Sequence, residues 1–163
     1  MNLATTLPLE KAALIVDKAL DVARANSMLP LTVVVLDAGG KAIAMKSEDG
    51  SGIMRFNVAY GKAWGALGMG ISSRLIRDRL ASRPTFQNAL AAASDGQLIP
   101  VPGGVLVMDK NEYVIGAVGI SGDTSEKDEY CAIAAIQHAG LSSEPAKEDE
   151  KWRDSSLSGC HQQ

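Results

Sequence analysis

Two stretches of the chain, LTVVVLDAGGKAIAM and QLIPVPGGVLVMDKNEYVIGAVGI, each place two β-rich runs around a short polar turn. The turns are Asp37-Ala38-Gly39-Gly40 and Asp109-Lys110-Asn111-Glu112, so each stretch reads as a hairpin. Neither pair of runs is separated by the long crossover that parallel strands need. A mainly antiparallel sheet follows.

The segments around the hairpins have helical spacing. From Leu9 to Arg24 apolar residues recur at Ala12, Ile15, Ala19 and Val22, with a second row at Ala13, Val16, Leu20 and Ala23, behind Pro8. Residues 52–69 repeat the pattern through Phe56, Ala59, Ala63, Ala66 and Leu67. Each of Gly61, Gly65 and Gly68 in that stretch costs about 1 kcal/mol of helix propensity relative to Ala, so a close neighbour is expected there. Ser72 or Ser73 can cap a short helix through Leu80, and Ser82 followed by Pro84 can start another through Ala93. A last helix is expected from Asp123, Thr124 or Ser125 to a stop at Gly140, with Asp123/Glu126 or Ser125/Asp128 as capping-box pairs. The order is helix, hairpin, helices, hairpin, helix: an α/β (α+β) domain with helices covering its sheet.

The length of 163 residues suits a single domain. We place it at residues 1–143, leaving 144–163 as a polar C-terminal tail or an arm laid on a neighbouring subunit, with Trp152 its only large apolar group. A net charge of -3 and the lack of a dense basic run beside aromatics argue against nucleic acid. No apolar stretch approaches the roughly 20 residues of a membrane span, and the N-terminal residues lack a signal pattern, so the expected location is cytoplasmic. Cys131 and Cys160 are far apart, and with only His138 and His161 beside them neither a disulfide framework nor a metal site is expected.

Motifs for covalent catalysis are missing: there is no GxSxG elbow, and GALGMGISS follows a helical segment where a dinucleotide loop would follow a strand. Arg74, Arg77, Arg79 and Arg83 read as a solvated or inter-subunit face. His138 reads as a structural group or a charge at a helix end. Two glycine corners remain. Gly103-Gly104 enters one strand and Ser121-Gly122 leaves the next, so a tight hairpin brings both to one end of the sheet, where they can wall a pocket. Arg55 and Lys62, seven residues apart and close to one helix face, are candidate anchors for an anionic ligand. Asp128 and Glu129 open the last helix, where they either balance its dipole or, if buried, act as acids.

Together VVVLDAGGKAIAM, NVAYGKA and IPVPGGVLVMDKNEYVIGAVGISGDTSEKDEYCA resemble the GlcG/HbpS-like family, also called the haem-degrading domain family and found at the C-terminus of PduO-type proteins. The resemblance implies a profilin-like single domain, an antiparallel sheet of about five strands flanked by helices, and a symmetric homo-oligomer. Some members bind haem through an N-terminal histidine, and this chain has none before His138. Other relatives are enzymes of aromatic degradation, among which the small hydroxylaminobenzoate lyases are similar in size and need no redox cofactor. The function expected on that basis is a cofactor-independent lyase converting 4-hydroxylaminobenzoate to protocatechuate and ammonia. In it Arg55 or Lys62 would anchor the carboxylate, Glu129 or Asp128 would donate the proton, and Gly103, Gly104, Ser121 and Gly122 would shape the pocket. Haem handling is the alternative, with haem as ligand, and a non-catalytic small-ligand sensor or accessory subunit is the third.

Overall fold

The computed structural model describes residues 4–157. Five strands form one sheet in the order β2-β1-β4-β3-β5, with every neighbouring pair antiparallel. They are β1 (Thr32–Asp37), β2 (Ala42–Ser47), β3 (Gly104–Met108), β4 (Val114–Ser121) and β5 (Ser142–Glu144). Five helices accompany them: α1 (Leu9–Ala25), α2 (Arg55–Met69), α3 (Ser73–Leu80), α4 (Pro84–Ala93) and α5 (Ser125–His138). None of the described helices is long and apolar enough to cross a membrane.

Alternation along the strands divides the core into two layers. Val33 and Val35 of β1, Val105 and Val107 of β3, and Val118 and Ile120 of β4 face α1 and α5, where Ile15, Val16, Ala19, Cys131, Ala132 and Ile136 meet them. Val34, Leu36, Leu106 and Ala117 face α2 through Ala59, Ala63 and Ala66.

On the α2 side part of the sheet is bare backbone. Gly104 and Gly119 are register partners on β3 and β4. A Cβ on Gly119 would lie 1.9 Å from the Ala59 carbonyl oxygen, and one on Gly104 would lie 2.3 Å from that of Lys62. The small residues of α2 have the neighbour they imply on another side too: a Cβ at Gly61 would meet the Gln97 carbonyl and Ile99, and one at Gly65 would meet Leu98. Gly68 has nothing within 4 Å.

The helix ends differ in detail from the sequence reading. Thr124 caps α5, its hydroxyl accepting from the Lys127 amide at 3.4 Å. Gly140 stops the helix with φ 75°, as expected of a residue in the left-handed region. Ser72 sits at the α3 N-terminus, but its own amide and hydroxyl both donate to the Glu144 carboxylate. A carboxylate at a helix start offsets the positive end of the helix dipole.

The expected boundary at residue 143 falls inside β5. Beyond it the chain folds back along its own domain: Gln137 donates to the Ala146 carbonyl at 2.9 Å, the Trp152 ring stacks on Tyr130 with centroids 3.7 Å apart, and Ser155 pairs with Thr124 at 2.6 Å. Residues 144–157 are therefore a strap on α5, while Cys160 and His161 lie outside the described residues. The reason is the ring of Trp152, which is 6% exposed and completes the apolar cluster of the α1/α5 layer.

Gly119→Ala should destabilise the fold by about 3 kcal/mol or more, because backbone must move to admit one methyl group. A fall in the urea midpoint at unchanged slope would show it.

Candidate functional site

The strand-to-helix corner at Ser121-Gly122-Asp123 is built by close backbone approach. A Cβ on Gly122 would lie 2.4 Å from the Pro30 carbonyl oxygen, so only glycine lets β4 turn beneath the β1 entry. The chain's own groups occupy the helix start behind it. Asp123 accepts from the Leu29 amide at 3.0 Å and the Thr124 amide at 2.8 Å, and the Asp123 amide donates to Asp128 Oδ1 at 3.2 Å.

The two glycine corners do meet at one end of the sheet, where Ile120 N–H donates to the Gly103 carbonyl at 3.0 Å. The space between them is filled. Lys62 extends from α2 past the sheet end, and its Nζ lies 2.9 Å from Asp128 Oδ2 and 2.9 Å from the Ile120 carbonyl oxygen. Gly103, at φ 113°, makes this passage: a Cβ there would lie 2.9 Å from that Nζ. Lys62, expected to anchor an external anion, thus holds an anion of its own chain with its side chain 2% exposed. Next to it Ser73 Oγ accepts from the Gly104 amide at 2.8 Å, which ties α3 to the same strand entry. Burial pushes the Asp128 carboxyl up to about 6, against the opposing pull of Lys62.

Beside this plug is a hydroxyl row whose inner members, Thr32 and Ser121, are buried and whose outer members, Ser47 and Ser51, reach the surface. Thr32 on β1 pairs across the sheet with Ser47 on one side and Ser121 on the other, and the three residues lie on the α2 face. Thr32 Oγ1 is 2.9 Å from Ser47 Oγ and 2.8 Å from Ser51 Oγ, while Arg55 Nη1 donates to Ser121 Oγ at 3.2 Å. Arg55 is half-buried at the start of α2. A guanidinium has five N–H donors in a fork that matches a carboxylate, and hydroxyls add donors that rotate to suit. The arrangement can therefore bind a carboxylate. Sequence reasoning found Arg55 and Ser121 but missed Thr32, Ser47 and Ser51. The signal for them was register: hydroxyl residues at the start of one hairpin strand and the end of its partner lie opposite each other.

Glu129 follows Asp128 by one residue and so points about 100° round the helix, away from the plug and towards α3. It is fully buried, and neither carboxylate oxygen has a hydrogen-bond partner among the described residues. Arg74 Nε lies 3.2 Å from Oε1, near enough for attraction but not aligned as a donor. Burial pushes this carboxyl up to about 7; Arg74 and Arg77 oppose the shift, and Asp149 and Glu126 add to it. The two expected acids thus occupy separate surroundings, Asp128 with Lys62 and Glu129 with Arg74.

Other candidate ligands are placed elsewhere. His138 is exposed in the last turn of α5, and Cys131 is buried with its Sγ 3.4 Å from Met28 Sδ and its thiol pushed up by burial. No group of three or more His, Cys, Asp or Glu that could hold a metal ion occurs among the described residues. On the outer side of α2, an open groove of about 510 Å³ runs between Met54, Phe56, Tyr60, Gln97 and Ile99.

The family model described as "Haem degrading protein HbpS-like" matches residues 7–137. The chain belongs to the HbpS-like family. A Citrobacter freundii relative, named "Uncharacterized 15.0 kDa protein in dhaT-dhaS intergenic region", is 31% identical over 108 residues, covering 66% of this chain and 75% of that one. Among solved structures, the fold is similar to that of a PduOC:heme complex (TM-score 0.76, 22% identity, 85% of this chain and 98% of that one). It is also similar to the Klebsiella pneumoniae protein ORFY (0.75, 25%, 86% and 94%) and to HbpS (0.71, 24%, 85% and 93%). The five-stranded antiparallel sheet with flanking helices is the fold that the family resemblance implies.

Two predictions follow from the buried charges. Lys62→Met should cost about 3–5 kcal/mol because it leaves Asp128 buried without its cation, whereas the double variant Lys62→Met/Asp128→Leu should recover much of that loss; urea titration of the three proteins measures the coupling. The second concerns pH. Folded Glu129 keeps its proton to about 7, above the ordinary 4.5, so between these values the folded state binds more protons than the unfolded chain. Stability from this group is thus greatest below about 4.5 and falls as pH rises through 7. Glu129→Gln should flatten that decline in urea midpoints measured across the window.

Proposed function

We propose that this protein handles haem, gripping the ligand's carboxylates at the Arg55 corner. Membership of the HbpS-like family supports the reading, and a haem complex among its structural relatives adds to it. The observation that carries it here is the half-buried Arg55 guanidinium set on the hydroxyl row of Thr32, Ser47, Ser51 and Ser121. Arg55, Ser47 and Ser51, the members of this group that reach the surface, suit the propionates of a haem, and buried Thr32 and Ser121 hold them in place. They do not fit its iron: Cys131 is buried against Met28, and His138 lies thirteen residues along α5 from its start, roughly 20 Å away at 1.5 Å per residue. In this reading Arg55 binds and orients a carboxylate, the hydroxyls complete its hydrogen bonds, and the Lys62–Asp128 plug keeps the corner rigid.

A second reading is favoured by the raised Asp128 and Glu129 carboxyls. A lyase acting on 4-hydroxylaminobenzoate would use Arg55 for the ring carboxylate and a protonated acid at the departing N–O oxygen, while water adds to the ring; substrate plus water balances protocatechuate plus ammonia. Asp128, the acid nearer Arg55, is the proton donor in that scheme. A non-catalytic sensor would share the carboxylate grip and lack the turnover.

The test is a titration of purified protein with hemin and, in parallel, with iron-free protoporphyrin IX, following the Soret region. Both should bind, and Arg55→Ala should weaken both by about 10- to 100-fold with partial rescue in Arg55→Lys, the scale of a lost charge-assisted hydrogen bond. Equal affinity in wild type and Arg55→Ala would overturn the grip. Release of ammonia and protocatechuate in equal amounts from 4-hydroxylaminobenzoate by metal-stripped, haem-free protein would move the assignment to the lyase.

A further inference from the structure

Glu129 serves neither the Arg55 surface nor the Lys62 plug, yet it is fully buried and both of its carboxylate oxygens lack a hydrogen-bond partner among the described residues. Keeping a carboxyl dry and unpaired costs free energy even when it carries its proton. The strap runs past the α3 N-terminus beside it, where the Glu144 carboxylate accepts from Ser72 and the Lys147 carbonyl accepts from Arg74 Nη2 at 2.7 Å. Arg74 is therefore divided. Its Nε lies 3.2 Å from Glu129 Oε1 without aligning, while Nη2 is committed to the strap. A guanidinium binds a carboxylate best through two parallel N–H groups, and here such a pair is split between two acceptors.

The other charges around Glu129 give an ionised carboxylate little support. Arg77 of α3 already reaches Glu126 of α5 at 3.4 Å, and Glu126 and Asp149, the latter on the strap, are both negative. β3 and β4 carry no ionisable side chain, Glu144 of β5 is turned to Ser72, and Lys11 of α1 donates to the Ala139 carbonyl at the far end of α5.

We propose that docking of strap residues 145–151 on α3 is linked to the proton on Glu129: the protonated acid stays beneath the docked segment, and loss of its proton to solvent releases that segment. Two effects of the new charge act on the strap. It draws Arg74 away from the Lys147 carbonyl into a paired contact with the carboxylate, and it stands against Asp149. The segment moves between two fixed points. β5 holds one end on β3, and the Trp152 ring stacked on Tyr130, with Ser155 paired to Thr124, holds the other. Burial keeps the docked carboxyl at about 7 against an ordinary 4.5, so release becomes easier as pH rises between these values and levels off above 7.

Limited trypsin digestion of the full chain, with fragments identified by mass spectrometry, tests this. Lys147 and Lys151 are cleavage sites within the segment, and Lys18, inside α1, reports unfolding of the whole domain. Dividing the wild-type cleavage rate by that of Glu129→Gln at each pH cancels the protease's own pH dependence. At Lys147 and Lys151 that quotient should rise about tenfold between roughly pH 6 and 8, with Lys18 resistant throughout. Asp149→Asn removes the strap's charge but keeps the oxygen that accepts from the Lys151 amide, so its rise should be smaller and level off at lower pH. A quotient that does not change with pH, or a rise that Lys18 shares, would overturn the linkage. An Asp149→Asn profile identical to wild type would overturn it as well, because the charge on Glu129 would then act out of reach of the strap.

Discussion

Helix α2 lies with its backbone against the backbone of the sheet, and that approach depends on two side chains that are not there. Gly104 and Gly119 face each other across β3 and β4, and the carbonyls of Ala59 and Lys62 occupy the volume their Cβ atoms would take. Because α2 sits so low, the four-carbon stem of Lys62 is long enough to pass the sheet end at Gly103 and reach the opposite layer. The ion pair with Asp128 therefore links α2 to α5 around the sheet rather than through it. Its energetic worth is modest, since desolvating two charges offsets most of their attraction. Its geometric consequence is larger: neither layer can shift without stranding a charge.

Much of this architecture was legible along the chain. Both hairpins, the stripes of α1 and α2, and the glycine stop of α5 are local patterns in which sequence neighbours decide the outcome. The convergence of the two glycine corners was also legible, because hairpin pairing dictates it. What fills them was not. The destination of Lys62 depends on how deep α2 sits, a tertiary quantity, so a cation among small residues looked the same whether it awaited a ligand or an internal carboxylate. β5 escaped notice because Ser142–Glu144 is three polar residues long and has strand character only through β3. The hydroxyl row escaped because Thr32, Ser47 and Ser51 are unremarkable until register aligns them.

Asp128 and Glu129 show how one helical step separates two chemistries. Both are carboxyls in the first turns of α5 and both are buried, yet one faces a lysine with good geometry and the other faces an arginine that does not align. Burial raises both, and carboxyls raised in this way are a recurrent source of acid function. Arg55 feels Asp128 electrostatically, which couples the plug to the surface where we place the carboxylate ligand. A structural ion pair and the proposed carboxylate surface thus share one corner.

The order in which the chain is synthesised gives the strap a further meaning. The α3 N-terminus is completed by Glu144, 72 residues downstream. At about 5–20 residues per second, translation leaves an interval of roughly 4–14 seconds in which α3 exists without its carboxylate, and in about the second half of it β3 has an uncovered edge. During that interval the nascent domain exposes a sheet edge of the kind that invites pairing with another chain. The strand that closes it, Ser142–Glu144, emerges after the other four.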